Sequence, residues 1–166
     1  HDVGKIGIPD AILLKSGSLE PGEWSRMRGH VELGREIVGC LDWLPGLRDV
    51  VCSHHERWDG AGYPDGLAGE DIPLLARIFQ ICDIYDAFSY ERPYKPALAP
   101  AAVEKIMREE TERGWRDPAL MKVFLDVLAH EPGAFKPGTG SQDDLGLSLF
   151  EEIQRTRESL GASGTA

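Results

Sequence analysis

Apolar residues recur three and four positions apart along most of this chain, and strict alternation is nearly absent. That pattern commits the backbone to helices packed on helices, because a half-buried strand needs a period of two. Trp24, Met27, Val31, Gly34, Val38 and Leu41 mark a helix expected from Pro21 to about Leu41, with proline suited to its first turn. Leu47, Val50, Val51, His54, His55 and Trp58 mark a second, from about Leu47 to Trp58. Leu75, Ile78, Phe79 and Cys82 mark a third, from Leu74 to about Tyr90. Val103, Ile106 and Met107 place a fourth at Pro100 to Arg113. Leu120, Val123, Phe124, Val127 and Leu128 place a fifth at Pro118 to His130. The expected fold is all-α, a helical bundle.

The segments between these stripes are punctuated by glycine and proline. Residues 1 to 20 read as the end of a helix and then a turn-rich connection, broken at Gly4, Gly7 and Pro9. The run from Asp59 to Gly66, continuing to Pro73, reads as a loop. Beyond His130, the stretch from Pro132 to Gly140 has the composition of a linker. Residues 1–131 are therefore expected to form the folded domain, and 132–166 a linker with a weakly helical or disordered tail.

Composition removes several classes of function. Eighteen Lys and Arg against 28 Asp and Glu give a formal net charge of −10, which excludes a general DNA- or RNA-binding surface. It leaves room for a small anionic ligand, since bound cations or a local basic cluster invert the field in one pocket. No apolar run reaches the roughly 20 residues of a membrane span. Cys40, Cys52 and Cys82 are odd in number and lack CxxC spacing, which fits small core residues in a reducing cytosol.

Four of the five histidines fall where chemistry is expected. In the second stripe His54 and His55 stand where apolar residues belong, and His30 lies on or beside the inward face of the first helix. Asp83 and Asp86 continue the third stripe, four residues after Phe79 and Cys82, and a His1-Asp2 pair opens the chain. A lone histidine on an apolar face is commonly a satisfied core residue, but the joint pattern differs. Buried imidazoles and carboxylates together are what a divalent metal requires, and His/Asp donors without Cys point to Mn, Fe, Co, Ni or Zn in a hydrolytic site. The donors exceed one ion's needs. A carboxylate such as Asp2 suits a bridging role between two ions. His130 is left as an ordinary residue near a helix end.

Several segments then carry a resemblance: His1-Asp2-Val3-Gly4-Lys5, His30 within Arg28-Gly29-His30, His54-His55-Glu56, Asp59-Gly60-Ala61-Gly62-Tyr63-Pro64, Asp83 within Cys82-Asp83-Ile84-Tyr85-Asp86, and Arg92-Pro93-Tyr94-Lys95. In this order and spacing they closely resemble the HD-GYP family, a branch of the HD-domain metal-dependent phosphohydrolases, over about residues 1 to 130. The resemblance implies an all-α domain that hydrolyses cyclic di-GMP to pGpG, to GMP or to both, through a hydroxide bridging two or three divalent ions, Fe or Mn foremost. It implies metal ligands at His1, Asp2, His30, His54, His55 and Asp83, with Asp2 bridging and Asp86 behind them. Lys5, Arg92 and Lys95 are implied to hold phosphate oxygens, and the Gly62-Tyr63-Pro64 loop to contact a diguanylate cyclase (GGDEF) domain. It further implies a Glu and a His ligand on a helix before His1, beyond a truncated N-terminus, and an upstream sensory or receiver domain in a cytoplasmic bacterial protein. A catalytically silent sensing module, or a phosphohydrolase for another nucleotide, are the competing expectations.

Overall fold

The computed structural model describes residues 1–39, 45–91 and 97–130. Among the described residues seven α-helices follow one another: α1 (Asp10–Leu13), α2 (Pro21–Arg28), α3 (His30–Val38), α4 (Pro45–Ser53), α5 (Leu74–Ser89), α6 (Pro100–Glu112) and α7 (Pro118–His130). Short 3-10 turns cover Val3–Gly7 and Gly69–Asp71. There is no strand among the described residues, as the missing alternation requires. No described helix is long and apolar enough to cross a membrane. His1–Asp126 form one compact unit, which holds every described site residue discussed below. The expected tail at 132–166 lies outside the described residues, as do Cys40, Arg92 and Lys95.

The core runs along the inner faces of α3, α4, α5, α6 and α7, through Val31, Val38, Val51, Cys52, Ala76, Ile81, Val103, Met107, Met121 and Phe124. Each fully buried aliphatic side chain contributes about 1.5–3 kcal/mol relative to exposure. Ile72, in the loop before α5, is as deeply buried as these. The N-terminal turn docks on α3 through Gly4. A Cβ there would lie 1.8 Å from the His30 carbonyl oxygen and 2.6 Å from the Gly34 nitrogen. On α3 itself, a Cβ at Gly34 would meet Val51 Cγ1 at 2.8 Å. Gly4 is thus required by close backbone approach, and Gly34 by the Val51 side chain of α4.

Four helices depart from their sequence expectation. The helix foreseen from Pro21 to Leu41 is broken at Gly29, whose N–H is shared between the Ser25 and Arg26 carbonyls at 3.3 and 3.1 Å. Sharing of this kind tightens a last turn toward 3-10 geometry. The helix foreseen to Trp58 ends at Ser53. Its terminator comes from α5: Gln80 Nε2 donates to the Ser53 and Glu56 carbonyls, both at 2.9 Å, taking an acceptor that a further turn would have used. Trp58 N–H donates instead to the Trp115 carbonyl.

On α5 the predicted inward stripe is rotated. Ala76, Gln80 and Ile81 are buried, whereas Leu75, Ile78 and Cys82 are exposed. The helix is apolar around most of its circumference, so periodicity alone does not select a face. The Gln80 cap selects it. Val123 on α7 is likewise exposed, with Met121 and Phe124 taking the buried positions.

Candidate metal centre

Three chain segments converge on one cluster. The turn at the chain start supplies His1 and Asp2, the first residue of α3 supplies His30, and the turn leaving α4 supplies His54 and His55. One donor atom from each of Asp2, His30, His54 and His55 lies within 4.8 Å of every other. His30 and His54 are buried, while Asp2 and His55 are partly so.

Backbone carbonyls fix the orientation of two of these imidazoles. His30 Nδ1–H donates to the Met27 carbonyl at 2.7 Å. His54 Nδ1–H donates to the Val51 and Val50 carbonyls at 3.0 and 3.2 Å, which sit on the last turn of α4. A neutral imidazole that donates from Nδ1 presents a lone pair at Nε2, the orientation that ligating histidines adopt. The two Nε2 atoms face one another at 3.4 Å. Asp2 Oδ1 points at the same place, 3.5 Å from His30 Nε2 and 3.8 Å from His54 Nε2. That oxygen is buried and accepts no hydrogen bond. Two lone pairs and an unpartnered carboxylate oxygen converging on one point fit a divalent cation, and nothing among the described residues satisfies them.

The other carboxylate oxygen is engaged. Asp2 Oδ2 accepts from Lys5 Nζ at 2.6 Å and lies 3.2 Å from His1 Nε2. Burial works to raise the Asp2 pKa, but hydrogen bonds from His1 and Lys5 outweigh it, so the carboxyl stays well below the usual carboxylate range. Its hydrogen bond to Asp2 raises the His1 pKa. Burial pushes His54 down to about 4, helped by the charge of His1. Burial also pushes His55 down to about 3, helped by His54 and His30. These two rings are therefore neutral, the form a metal binds.

His1 and Asp83 abut the group of four. His1 Nε2 is 3.9 Å from Asp83 Oδ1, and its ring packs on Phe79 with centroids 4.8 Å apart. The structure thus brings all six expected ligands to one neighbourhood, four tightly and two at the margin. Asp86 lies three residues further along α5, where its carbonyl accepts from Tyr90 N–H.

The Gly-Tyr-Pro loop forms a wall of this site. Tyr63 stacks on His55, with ring centroids 4.7 Å apart and planes 23° from parallel, and its N–H donates to the His55 carbonyl. The Arg28 guanidinium sits over the Tyr63 ring, 4.9 Å from its centroid. Burial pushes the Tyr63 hydroxyl up to about 12, against the opposing charge of Arg28. At Gly62 a Cβ would fall 2.3 Å from the Arg57 nitrogen, so the loop lies directly on the chain that leaves His55.

Sequence reasoning passed over Glu56, which anchors this loop. It is fully buried. Its Oε1 accepts from the Asp65 and Gly66 amides at 2.7 and 3.1 Å, and its Oε2 from Leu67 at 3.0 Å. Its position beside the histidine pair was the available signal, yet nothing in the residue type distinguishes an anchor from a ligand. Gln80 and Arg28 were passed over as well.

The HD domain family profile matches residues 1–120. A cyclic di-GMP phosphodiesterase of Thermotoga maritima is 44% identical over 132 residues, covering 76% of this chain and 35% of that protein. A probable cyclic di-GMP phosphodiesterase of Vibrio cholerae is 40% identical over 133 residues, covering 75% and 30%. The 3'3'-cGAMP-specific phosphodiesterase 2 of Vibrio cholerae is 38% identical over 128 residues, covering 76% and 24%. The chain spans about a quarter to a third of the length of these relatives. A histidine-aspartate pair set against three further histidines, on a helical frame matched over this span, makes the chain a member of the HD domain family, in its HD-GYP branch.

Proposed function

We propose that this chain is the hydrolytic portion of a metal-dependent phosphodiesterase that hydrolyses cyclic di-GMP to pGpG, to GMP or to both. One arrangement carries the reading: the unpartnered Asp2 Oδ1 aimed at the facing Nε2 atoms of His30 and His54. The names of the relatives support a cyclic dinucleotide as the substrate class. We assign His1, Asp2, His30, His54, His55 and Asp83 as ligands to two or three divalent ions, Fe or Mn foremost, and Asp86 a place behind them. When bound, such ions supply Lewis-acid activation of water and of the phosphoryl oxygens.

The chain's own residues do the rest. Lys5 and His1 occupy Asp2 Oδ2, which commits Oδ1 to the cluster. The carbonyls of Met27, Val50 and Val51 hold the His30 and His54 rings with Nε2 inward. Lys5, which is bound to Asp2, is assigned to share its ammonium with a phosphate oxygen, and Arg92 and Lys95 are assigned the same task from sequence. The Gly62-Tyr63-Pro64 loop is proposed to meet a diguanylate cyclase domain, within a cytoplasmic protein that also carries a sensory or receiver domain.

The test is turnover of cyclic di-GMP with added Mn or Fe, compared with Asp2→Ala and His54→Ala. Metal-dependent release of pGpG or GMP, lost in both variants, is the expected result. Binding of cyclic di-GMP without turnover by the unaltered protein would establish the silent sensing module instead. Relatives named for 3'3'-cGAMP, at 38% identity, favour a second substrate, and preferential turnover of that nucleotide would replace cyclic di-GMP in the assignment.

A further inference from the structure

We infer that Arg28 is a substrate-positioning residue of this site, its guanidinium receiving a phosphate of the cyclic dinucleotide that enters past Tyr63. The inference rests on the cyclic-dinucleotide reading above. It starts from the succession of three groups: the Arg28 guanidinium over the Tyr63 ring at 4.9 Å, and that ring stacked on His55 at 4.7 Å. A positive charge thereby stands two rings away from the donor cluster.

Three nearby cations among the described residues already have acidic partners, and of these only Lys5 is assigned a share in phosphate binding above. Lys5 is bound to Asp2. Arg35 is bound to Asp65 and lies near Glu32, and Arg57 is bound to Asp59. Arg28 is exposed, and among the described residues it forms neither an ion pair nor a side-chain hydrogen bond. A guanidinium held over a ring spends its charge and its face, whereas its five N–H donors lie in its own plane and remain available. Those donors match a phosphodiester's paired oxygens in the bidentate way that an ammonium does not.

A basic residue at a helix C-terminus such as that of α2 ordinarily does no more than complement the helix dipole. Arg26 and Arg28 both end α2, yet only Arg28 is tied to the ring that packs on His55. A chain of net charge −10 also repels a dianionic dinucleotide, which raises the value of one cation placed at the mouth of the site.

Two measurements on the chain with Mn present decide the matter: steady-state hydrolysis of cyclic di-GMP, and calorimetric binding of both Mn and cyclic di-GMP. Arg28→Ala is expected to raise KM and the dinucleotide Kd at least tenfold and to lower kcat less than threefold. Arg28→Lys should fall between the two, because it keeps the charge and loses the fork. The Mn Kd should stay within twofold in both variants. Unchanged KM and dinucleotide Kd in Arg28→Ala would overturn the inference. So would a loss of Mn affinity parallel to the loss of dinucleotide affinity, since Arg28 would then only brace Tyr63 against His55. If the unaltered protein binds cyclic di-GMP without hydrolysing it, the hydrolase reading fails. The Kd ratio still judges Arg28, a tenfold weakening supporting it and equal values refuting it.

Discussion

His30 and His54 face each other nitrogen to nitrogen, with 3.4 Å between their Nε2 atoms. Both rings donate from Nδ1 to backbone carbonyls, so in the neutral state both facing atoms carry lone pairs. A cation between them turns repulsion into coordination. Addition of Mn at a hundred times its Kd should therefore stabilise the fold by about 2.7 kcal/mol, the value set by mass action alone. A chelator should reverse the gain. Asp2→Asn should lose most of it, because the oxygen aimed at both imidazoles then carries no charge. Thermal melts with and without Mn check this, and a melting temperature indifferent to Mn in the unaltered protein would remove the basis for the centre.

The docking of the N-terminal turn on α3 makes a second expectation. Gly4→Ala would drive a methyl group into the His30 carbonyl, which lies 1.8 Å from the position of the added carbon. Neither neighbour is the flexible end of a side chain, so the turn must move away from α3. Overpacking of this kind costs about 1–3 kcal/mol. The displacement also carries Asp2 from His30 and His54, so Mn affinity should fall with stability. Urea denaturation and Mn titration together decide it. A variant as stable as the parent would show that the turn is not seated on α3 in this way.

Gln80 makes a third. Gln80→Leu keeps nearly the same volume but strips the Glu56 carbonyl of its Gln80 donor and leaves the Ser53 carbonyl with the Glu56 N–H alone. A buried carbonyl left unpaired costs about 1–3 kcal/mol. The exit of α4 loosens at the point where His54 and His55 leave it. The expected outcome is a lower urea midpoint and weaker Mn binding, with no residue of the donor cluster altered. Unchanged Mn affinity would mean that the histidine pair keeps its geometry without the cap.

The pH dependence of the metal-free protein supplies a fourth. His54 and His55 titrate in the folded state near 4 and 3, below the value of 6.5 that they regain on unfolding. Between those limits the unfolded chain binds more protons, so stability rises with pH across this window and is lost as pH falls through it. His1 acts in the opposite sense, since its raised folded pKa adds stability below 6.5 that is lost as pH rises. Two rings outweigh one, and burial is the largest cause for both. Chelated protein should show a urea midpoint that declines steadily from pH 7 to pH 5. A flat or rising midpoint over that interval would contradict the neutral burial of the pair.

The spans of α5, α6 and α7 were legible in the sequence to within a residue or so, because proline opens α6 and α7 and the apolar spacing runs uninterrupted. The donor residues were legible for a different reason: imidazole and carboxylate side chains at apolar positions are costly unless something holds them. The end of α4 was not legible, since its terminator lies 27 residues away on α5. The face of α5 was not legible either, because leucine, isoleucine and cysteine surround it and only a tertiary hydrogen bond chooses among them. Glu56 illustrates the same gap. Its carboxylate meets partners 9, 10 and 11 residues ahead, in a loop whose path no local pattern dictates.

That carboxylate has a consequence for how the site meets its ligand. A long connection without regular structure would ordinarily be a flap that closes over a guest and surrenders entropy in doing so. Here the connection is clamped at its root by three amides, and its tyrosine already rests on His55. The wall of the centre is already anchored before anything arrives. Affinity then depends on how well a guest fits a fixed frame, and not on the work of folding a loop around it.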